Sequence, residues 1–424
     1  MEYFKVDYKS HPLFKGVSAN DWNDWQWQIR NRIRTIEKLK KAFILTKKIE
    51  EDILKCLCHF RMAITPYYAA LADREYSRCP IRLQAVPLIN EIKEGSSDFT
   101  DPLFEDVDSP CKGLTHRYPD RVLLLVTKIC SMYCRHCTRR RLVGVHDADL
   151  SLEDFEISLK YLEGHKEVRD IIVSGGDPMT MTDDKIEFVL KSLRKIKHIE
   201  IIRLGTRCPV VLPMRITEKL VKMIKKYHPV YINTQFNHPK EVTVEAKAAC
   251  ERLVDAGIPV GNQSVLLRDI NDCPCIMKKL MHMLLSIRVK PYYIYQCDLT
   301  KGISHFRTSI VKGIEIIENL RGHTSGLAVP SFVVDSPGGG GKIPIMPNYT
   351  LSFSDRRIVL RNYEGMILTY TQPEKVVSDC GQCKICQDPK YKALDGIAKL
   401  LRGEKLYLEP KDLRRHHSND IKEE

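Results

Sequence analysis

Lys128-Ile-Cys-Ser-Met-Tyr-Cys-Arg-His-Cys-Thr-Arg-Arg-Arg141 follows directly on Val122 to Thr127, a run of β-branched residues and leucines with the texture of a buried strand. Its thiols, Cys130, Cys134 and Cys137, stand in a C-x3-C-x2-C pattern. Three thiolates so spaced can wrap one corner of a 4Fe-4S cube, each binding a different iron and leaving the fourth iron without a protein ligand. The open iron can be chelated by the amino and carboxylate groups of a small molecule, and S-adenosylmethionine carries both. A structural zinc normally takes four protein ligands, and unrelated core cysteines are the other competing reading. Both are weaker, because a second motif, Ser174-Gly-Gly-Asp-Pro178, stands at the end of the next expected strand. Glycines there let backbone approach a ligand closely.

Outward from this stretch, strands are expected at Val122 to Thr127, Asp170 to Ser174, Ile199 to Leu204, Val230 to Gln235, Val260 to Leu267 and Lys290 to Gln296, with a seventh at Phe332 to Asp335. After the first gap they recur at roughly thirty residues, the period of a βα unit with right-handed crossover. The fold class is therefore α/β, a parallel sheet curling into a full or partial barrel, with Ser151 as N-cap of the helix after the cysteine loop. In such folds the chemistry gathers at the carboxyl ends of the strands.

Before the barrel, residues 1–115 read as helical: Asp21 to Lys41 as one long polar helix and Lys47 to Phe60 as another, with Asp98 to His116 a connector rich in Asp, Pro and Gly. The barrel is expected over residues 116–330. Residues 331–424 form a C-terminal region with a polar tail from about Lys411.

Apolar residues make up 43% of the 424 residues, enough for a substantial core, and no apolar run approaches the roughly 20 residues needed to span a bilayer. No membrane association is expected. Met1 to Asp7 carries charges of both signs and no apolar signal core, so a cytoplasmic location is expected, with the 15 cysteines reduced and available for metal or catalysis. The net charge of +13 would suit a nucleic-acid partner, but Lys and Arg are interleaved with acids, as in Glu187 to Lys197, which favours a solvated face and no nucleic acid.

Pro337-Gly-Gly-Gly-Gly-Lys-Ile343 first suggests a phosphate-binding loop, but that motif needs Gly at Ser336 and Ser or Thr at Ile343. A lysine on a loop stripped of side chains at a strand end also suits a Schiff base with pyridoxal phosphate. From the residues alone, a surface lysine is as good a reading.

Taken together, the cluster loop, Asn233-Thr-Gln-Phe-Asn-His-Pro239, Gly302-Ile-Ser-His-Phe-Arg-Thr308, Arg321-Gly-His-Thr-Ser-Gly326 and Asp335 to Lys342 resemble the lysine 2,3-aminomutase family of the radical S-adenosylmethionine superfamily. The resemblance implies a partial (β/α)6-type barrel with a helical N-terminal extension and a zinc-binding C-terminal one. It also implies that Lys342 anchors pyridoxal 5′-phosphate, that Tyr118, Arg121 and Tyr295 surround that cofactor, and that Gly175, Gly176, Asp177 and Gln263 lie at S-adenosylmethionine. Arg139 is implied to bind the substrate carboxylate, and Asp298 with Asp335 the ε-ammonium of L-lysine, a pair of charges that glutamate would find repulsive. Gln235 stands where histidine is expected in relatives, which predicts altered affinity for the adenosyl ligand with activity retained.

Cys380, Cys383 and Cys386 are spaced for zinc but are one ligand short of a closed site. The resemblance supplies Cys273 as the fourth, with Cys275 a competitor, and implies a homotetramer held partly by that metal. It further implies interconversion of L-lysine and L-β-lysine by radical migration of nitrogen from C2 to C3, with ferredoxin or flavodoxin as one-electron donor. Glutamate and arginine 2,3-aminomutases are the alternatives within the family. A lysine mutase acting on a translation factor is a third, disfavoured by the tail cysteines, and a radical RNA-modifying protein is a remote fourth.

Overall fold

A computed structural model describes residues 2–93, 98–144, 147–374 and 384–387. The chain divides into two units, residues 1–348 and 349–424.

The first unit is built on a nine-stranded sheet whose spatial order follows the chain: β1 (Leu114–Tyr118), β2 (Arg121–Thr127), β3 (Asp170–Gly175), β4 (Ile201–Gly205), β5 (Val230–Thr234), β6 (Val260–Leu266), β7 (Lys290–Gln296), β8 (Ser331–Ser336) and β9 (Gly341–Pro344). Strands β2 to β8 are parallel, and β1 and β9 are antiparallel additions at the two edges. Helices Leu152–Gly164, Asp183–Lys195, Glu218–Lys225, Val244–Asp255, Pro274–Ser286 and Ile310–Leu320 make the crossovers. Strand β3 shows how the sheet divides its residues: Ile171 and Val173 are buried in the core, while Ile172 and Ser174 face a central cavity. Five of the six crossover helices begin alike, with Ser151, Thr182, Thr217, Thr243 and Ser309 each accepting a bond from the backbone N–H three residues on. Such a cap contributes about 1 kcal/mol and sets where each strand-to-helix loop ends.

The sheet curls until its edges meet without joining the ladder. Tyr118 of β1 accepts a bond from the backbone N–H of Lys342 in β9 at 3.0 Å. Residues of every strand from β2 to β9 line the one cavity. This is the partial α/β barrel expected from the spacing, with the seventh expected strand in place as β8.

Local details depart from the sequence reading. Asp21 to Lys41 is three short helices, Ala19–Asn23, Trp25–Arg30 and Ile36–Ala42, because Asp24 and Thr35 cap new starts within it. The stretch read as a connector ends in strand β1. Lys342 lies within β9 of a β8–β9 hairpin, where a loop had been expected.

The N-terminal segment braces the cysteine loop. Arg135 donates from its backbone to Gln84 O at 3.0 Å, Tyr133 likewise to Ala63 O at 3.1 Å, and Arg32 Nη1 to Cys130 O. Glu91, fully buried, accepts from Arg135 Nε at 2.9 Å and Arg140 Nη2 at 2.5 Å.

The second unit holds an antiparallel sheet of β10 (Thr350–Phe353), β11 (Arg357–Arg361) and β12 (Ile367–Thr371), and a short helix Lys384–Gln387. Cys380 and Cys383 lie outside the described residues, and Cys386 is described in its backbone alone.

Candidate active site

At the carboxyl ends of the strands lies a cavity of about 820 Å³, within the range that holds small ligands and cofactors. Cys130, Cys134 and Cys137 line it together. Among the described residues, no three His, Cys, Asp or Glu side chains converge closely enough to ligate a single metal ion. A cube requires no such convergence, since each thiolate binds its own iron. The donor set, three thiols on one loop facing a shared cavity, fits a cluster with an open iron.

Gly175 and Gly176 act on this loop directly. Gly175 has φ +129°, and a Cβ there would stand 2.1 Å from Thr127 O; at Gly176 it would stand 2.3 Å from Ile129 O. The backbone that these glycines approach is therefore that of the cysteine loop, to which Gly176 and Asp177 donate N–H bonds at 2.6 and 2.8 Å. Asp177 spends its carboxylate on protein donors: Met179 N at 3.0 Å, Thr206 Oγ1 at 2.6 Å and Arg207 N at 2.8 Å. It ties the β3 and β4 loops together.

Polar atoms in the cavity wall await partners. His136 Nε2 accepts from Gln235 Nε2 and Asn237 Nδ2, each at 3.3 Å, which places its proton on Nδ1. Nδ1, Thr234 Oγ1 and Gln296 Oε1 are buried with no hydrogen-bond partner, and burial holds the imidazole well below its usual pKa, hence neutral. Gln263 of β6 lines the same cavity.

Further along the wall, Lys342, Tyr118, Arg121 and Tyr295 come together. The Arg121 guanidinium lies 3.9 Å over the Tyr118 ring, and Lys342 Nζ lies 5.3 Å from the Tyr295 ring centroid. An amine, a cation and flat aromatic faces at one place fit a phosphorylated pyridine aldehyde. Gly341, at φ +81°, leaves room for Tyr118, since a Cβ would stand 3.0 Å from its hydroxyl.

Asp298, just past β7, and Asp335 of β8 line the cavity beside Lys342. Burial, and then the Asp335 charge, push the Asp298 carboxyl up to about 7, against the pull of Lys342 and Arg139. Lys342 Nζ donates to Asp335 Oδ1 at 3.0 Å. Arg139 also lines the cavity, and it already holds a carboxylate, Glu105.

With this geometry in place, comparison with known proteins decides the relationship. Residues 317–424 match the family model for lysine-2,3-aminomutase, and residues 124–277 that for the radical SAM superfamily. The chain is 54% identical to an L-lysine 2,3-aminomutase of Clostridium subterminale over 96% of its length and 98% of the relative's. It is 56% identical to the L-lysine 2,3-aminomutase of Acetoanaerobium sticklandii over 96% and 99%. The chain belongs to the L-lysine 2,3-aminomutase family. A glutamate 2,3-aminomutase of Clostridioides difficile is 47% identical over 83% of each chain.

In this member of the aminomutase family, two buried groups at the site escaped the sequence reading. Arg207, two residues beyond β4, donates from Nη1 to Cys134 Sγ at 2.7 Å and from Nη2 to Glu241 Oε1 at 2.8 Å and Gln84 Oε1 at 2.5 Å. Its place just after a parallel strand was the available signal. Glu105 had none, lying in a stretch read as a connector. The zinc candidates are not assembled within the described residues: Cys273 stands at the N-cap of Pro274–Ser286, and Cys275 is exposed.

Proposed function

We propose that this protein interconverts L-lysine and L-β-lysine by radical 1,2-amino migration, with a 4Fe-4S cluster, S-adenosylmethionine and pyridoxal 5′-phosphate. The observation that carries the substrate is the pair of carboxylates, Asp298 and Asp335, in the same cavity as the Arg139 guanidinium and the Lys342 amine. When bound, the cluster and S-adenosylmethionine supply a carbon-centred radical, and pyridoxal phosphate supplies a π-system that stabilises the migrating nitrogen.

The chain's own residues do the rest. Arg139 takes the α-carboxylate, and Asp298 and Asp335 take the ε-ammonium, so both ends of lysine are fixed while its C2 and C3 stay exposed to the radical. Lys342 would anchor pyridoxal phosphate through its amine, with Tyr295, Arg121 and Tyr118 as the residues that would hold the rest of that cofactor. Cys130, Cys134 and Cys137 hold the cluster; His136, Thr234, Gln263 and Gln235 supply polar contacts for the adenosyl group. The N-terminal segment, packed on the cysteine loop, keeps solvent from that side.

The same reading includes a structural zinc on Cys273, Cys380, Cys383 and Cys386 supporting a homotetramer, a small ferredoxin or flavodoxin as electron donor, and a cytoplasmic location. The Cys273 thiol caps no helix N–H, which leaves it available as a ligand. Among the described residues no helix is long and apolar enough to cross a membrane. The test is an anaerobic assay of reconstituted protein with L-lysine, L-glutamate and L-arginine. L-Lysine turnover is expected; turnover of glutamate in its place would overturn the assignment of the two aspartates.

A further inference from the structure

Arg139 meets Glu105 along one edge of its guanidinium: Nε donates to Oε1 at 3.0 Å and to Oε2 at 3.2 Å, and Nη2 donates to Oε1 at 2.7 Å. A guanidinium has two edges that can each seat a carboxylate, Nε with Nη2 and Nη1 with Nη2. Glu105 takes the first. Among the described residues no bond is seen to Nη1, so the second edge remains for another anion. The two side chains are buried to different degrees, Glu105 8% exposed and Arg139 27%. Both side chains line the cavity, Glu105 as the more deeply buried of the two.

The segment that carries Glu105 is itself held. Arg141 pairs with Asp101 at 3.1 Å and Asp106 at 2.9 Å, and Arg117 Nε donates to Asp108 Oδ2 at 2.7 Å. Phe104, next to Glu105, adopts φ +51°, a left-handed conformation that a bulky side chain takes only when its surroundings enforce it. Two arginines and a strained turn thus fix the carboxylate against which Arg139 leans.

The electrostatics of the cavity give this support a purpose. Arg139 stands within reach of the charges of Asp335 and Asp298. A long, flexible cation facing two buried carboxylates would be drawn onto them, and each end of an amino-acid site would then neutralise the other. Glu105 supplies Arg139 with a competing countercharge of its own.

We propose that Glu105 is a positioning residue, which holds Arg139 away from Asp298 and Asp335 with one guanidinium edge presented to the substrate α-carboxylate. The proposal rests on the assignment of Arg139 to that carboxylate. Glu105 acts on the substrate carboxylate through Arg139.

The test is calorimetric titration of the holoenzyme, without reductant, with L-lysine and with L-lysinamide, which lacks the carboxylate. The readout is the preference for the acid over the amide, given by the ratio of their Kd values. Glu105→Gln keeps the shape and removes the charge; it should cut that preference about tenfold, the scale of a charge-assisted hydrogen bond, and raise KM for L-lysine more than it lowers kcat. Glu105→Asp keeps the charge one methylene short and should fall between, and it serves as the second variant if the first fails to retain iron and cofactor. A preference unchanged in both variants would show a merely structural role and overturn the proposal. Tighter L-lysine binding would also overturn it, by showing that Glu105 competes for the substrate's place. If the wild-type protein uses another amino acid and not L-lysine, the substrate reading fails while this test stands, run with that amino acid and its amide.

Discussion

Asp335 and Lys342 are register partners across the β8–β9 hairpin, and the Lys342 ammonium donates to Asp335 Oδ1 at 3.0 Å. Directly opposed residues of an antiparallel pair share a face, so the ladder itself aims this lysine at this carboxylate. The carboxylate proposed to receive the substrate's ammonium is thus satisfied by the protein's own ammonium while Lys342 is free. With pyridoxal phosphate anchored on Lys342 as proposed, that carboxylate would be released.

Lys342→Ala should therefore abolish the absorbance of lysine-bound pyridoxal phosphate while leaving iron content unchanged, because the cysteine loop is built on β2 and the N-terminal segment. Absorption spectra and iron assays on the reconstituted variant check both halves. Intact cofactor absorbance would rule out Lys342 as the anchor.

Asp298→Asn should raise KM for L-lysine about tenfold or more, through loss of one charge from the ammonium site. A pH dependence accompanies it. With its carboxyl pushed to about 7 by burial and by Asp335, and opposed by Lys342 and Arg139 with Glu105 nearby, Asp298 is charged above that pH and neutral below it. L-Lysine binding should accordingly weaken as pH falls through about 7. The variant should lack that inflection in its KM profile.

Glu241→Gln should destabilise the fold by about 3 kcal/mol, the scale of a buried pair broken on one side. Glu241 is fully buried and accepts from Arg207, from Tyr68 Oη at 2.7 Å, and from the backbone of Asn237 at 2.5 Å and His238 at 2.9 Å. Its loss leaves Arg207 charged beside Cys134 without compensation. Denaturant unfolding of the cofactor-free protein measures the change.

Gly176→Ala should lose most of its iron, since the new Cβ would fall 2.3 Å from Ile129 O, one residue before Cys130. Backbone has to move, and the cluster loop is the backbone in question. Iron and sulfide analysis after anaerobic reconstitution gives the outcome; full iron content would mean that the loop yields without disturbing the thiols.

Cys383→Ser should reduce bound zinc and shift the protein from tetramer to smaller species without loss of cluster iron. Metal analysis with light scattering tests this. A full zinc complement with an intact tetramer would remove Cys383 from the proposed ligand set.

The local features were legible along the chain. Cys130, Cys134 and Cys137 stand within eight residues on one loop, the strands recur as β-branched runs at roughly thirty residues, and Ser151 caps the helix that the cysteine loop leads into. Such signals reside in neighbouring residues, so the sequence by itself determined the cluster motif and the α/β barrel. Lys342, Asp298 and Asp335 rest on resemblance, because the residues alone leave a surface lysine as good a reading and make a solvated loop acid the default for each aspartate.

What the tertiary structure decided was which charges meet. Glu105 sits in a stretch with no periodicity, 34 residues from Arg139, and the sequence contains nothing that couples them. The same holds for Arg207 with Cys134, 73 positions apart, and for Tyr118 with Lys342, 224 apart. An ion pair depends on a few ångströms of approach after the sheet has curled, and that distance is set by the packing of every strand between the partners. The cysteine motif was therefore complete in itself; Arg207, which donates to Cys134, and Glu241, which pairs with that arginine, came together only in the fold.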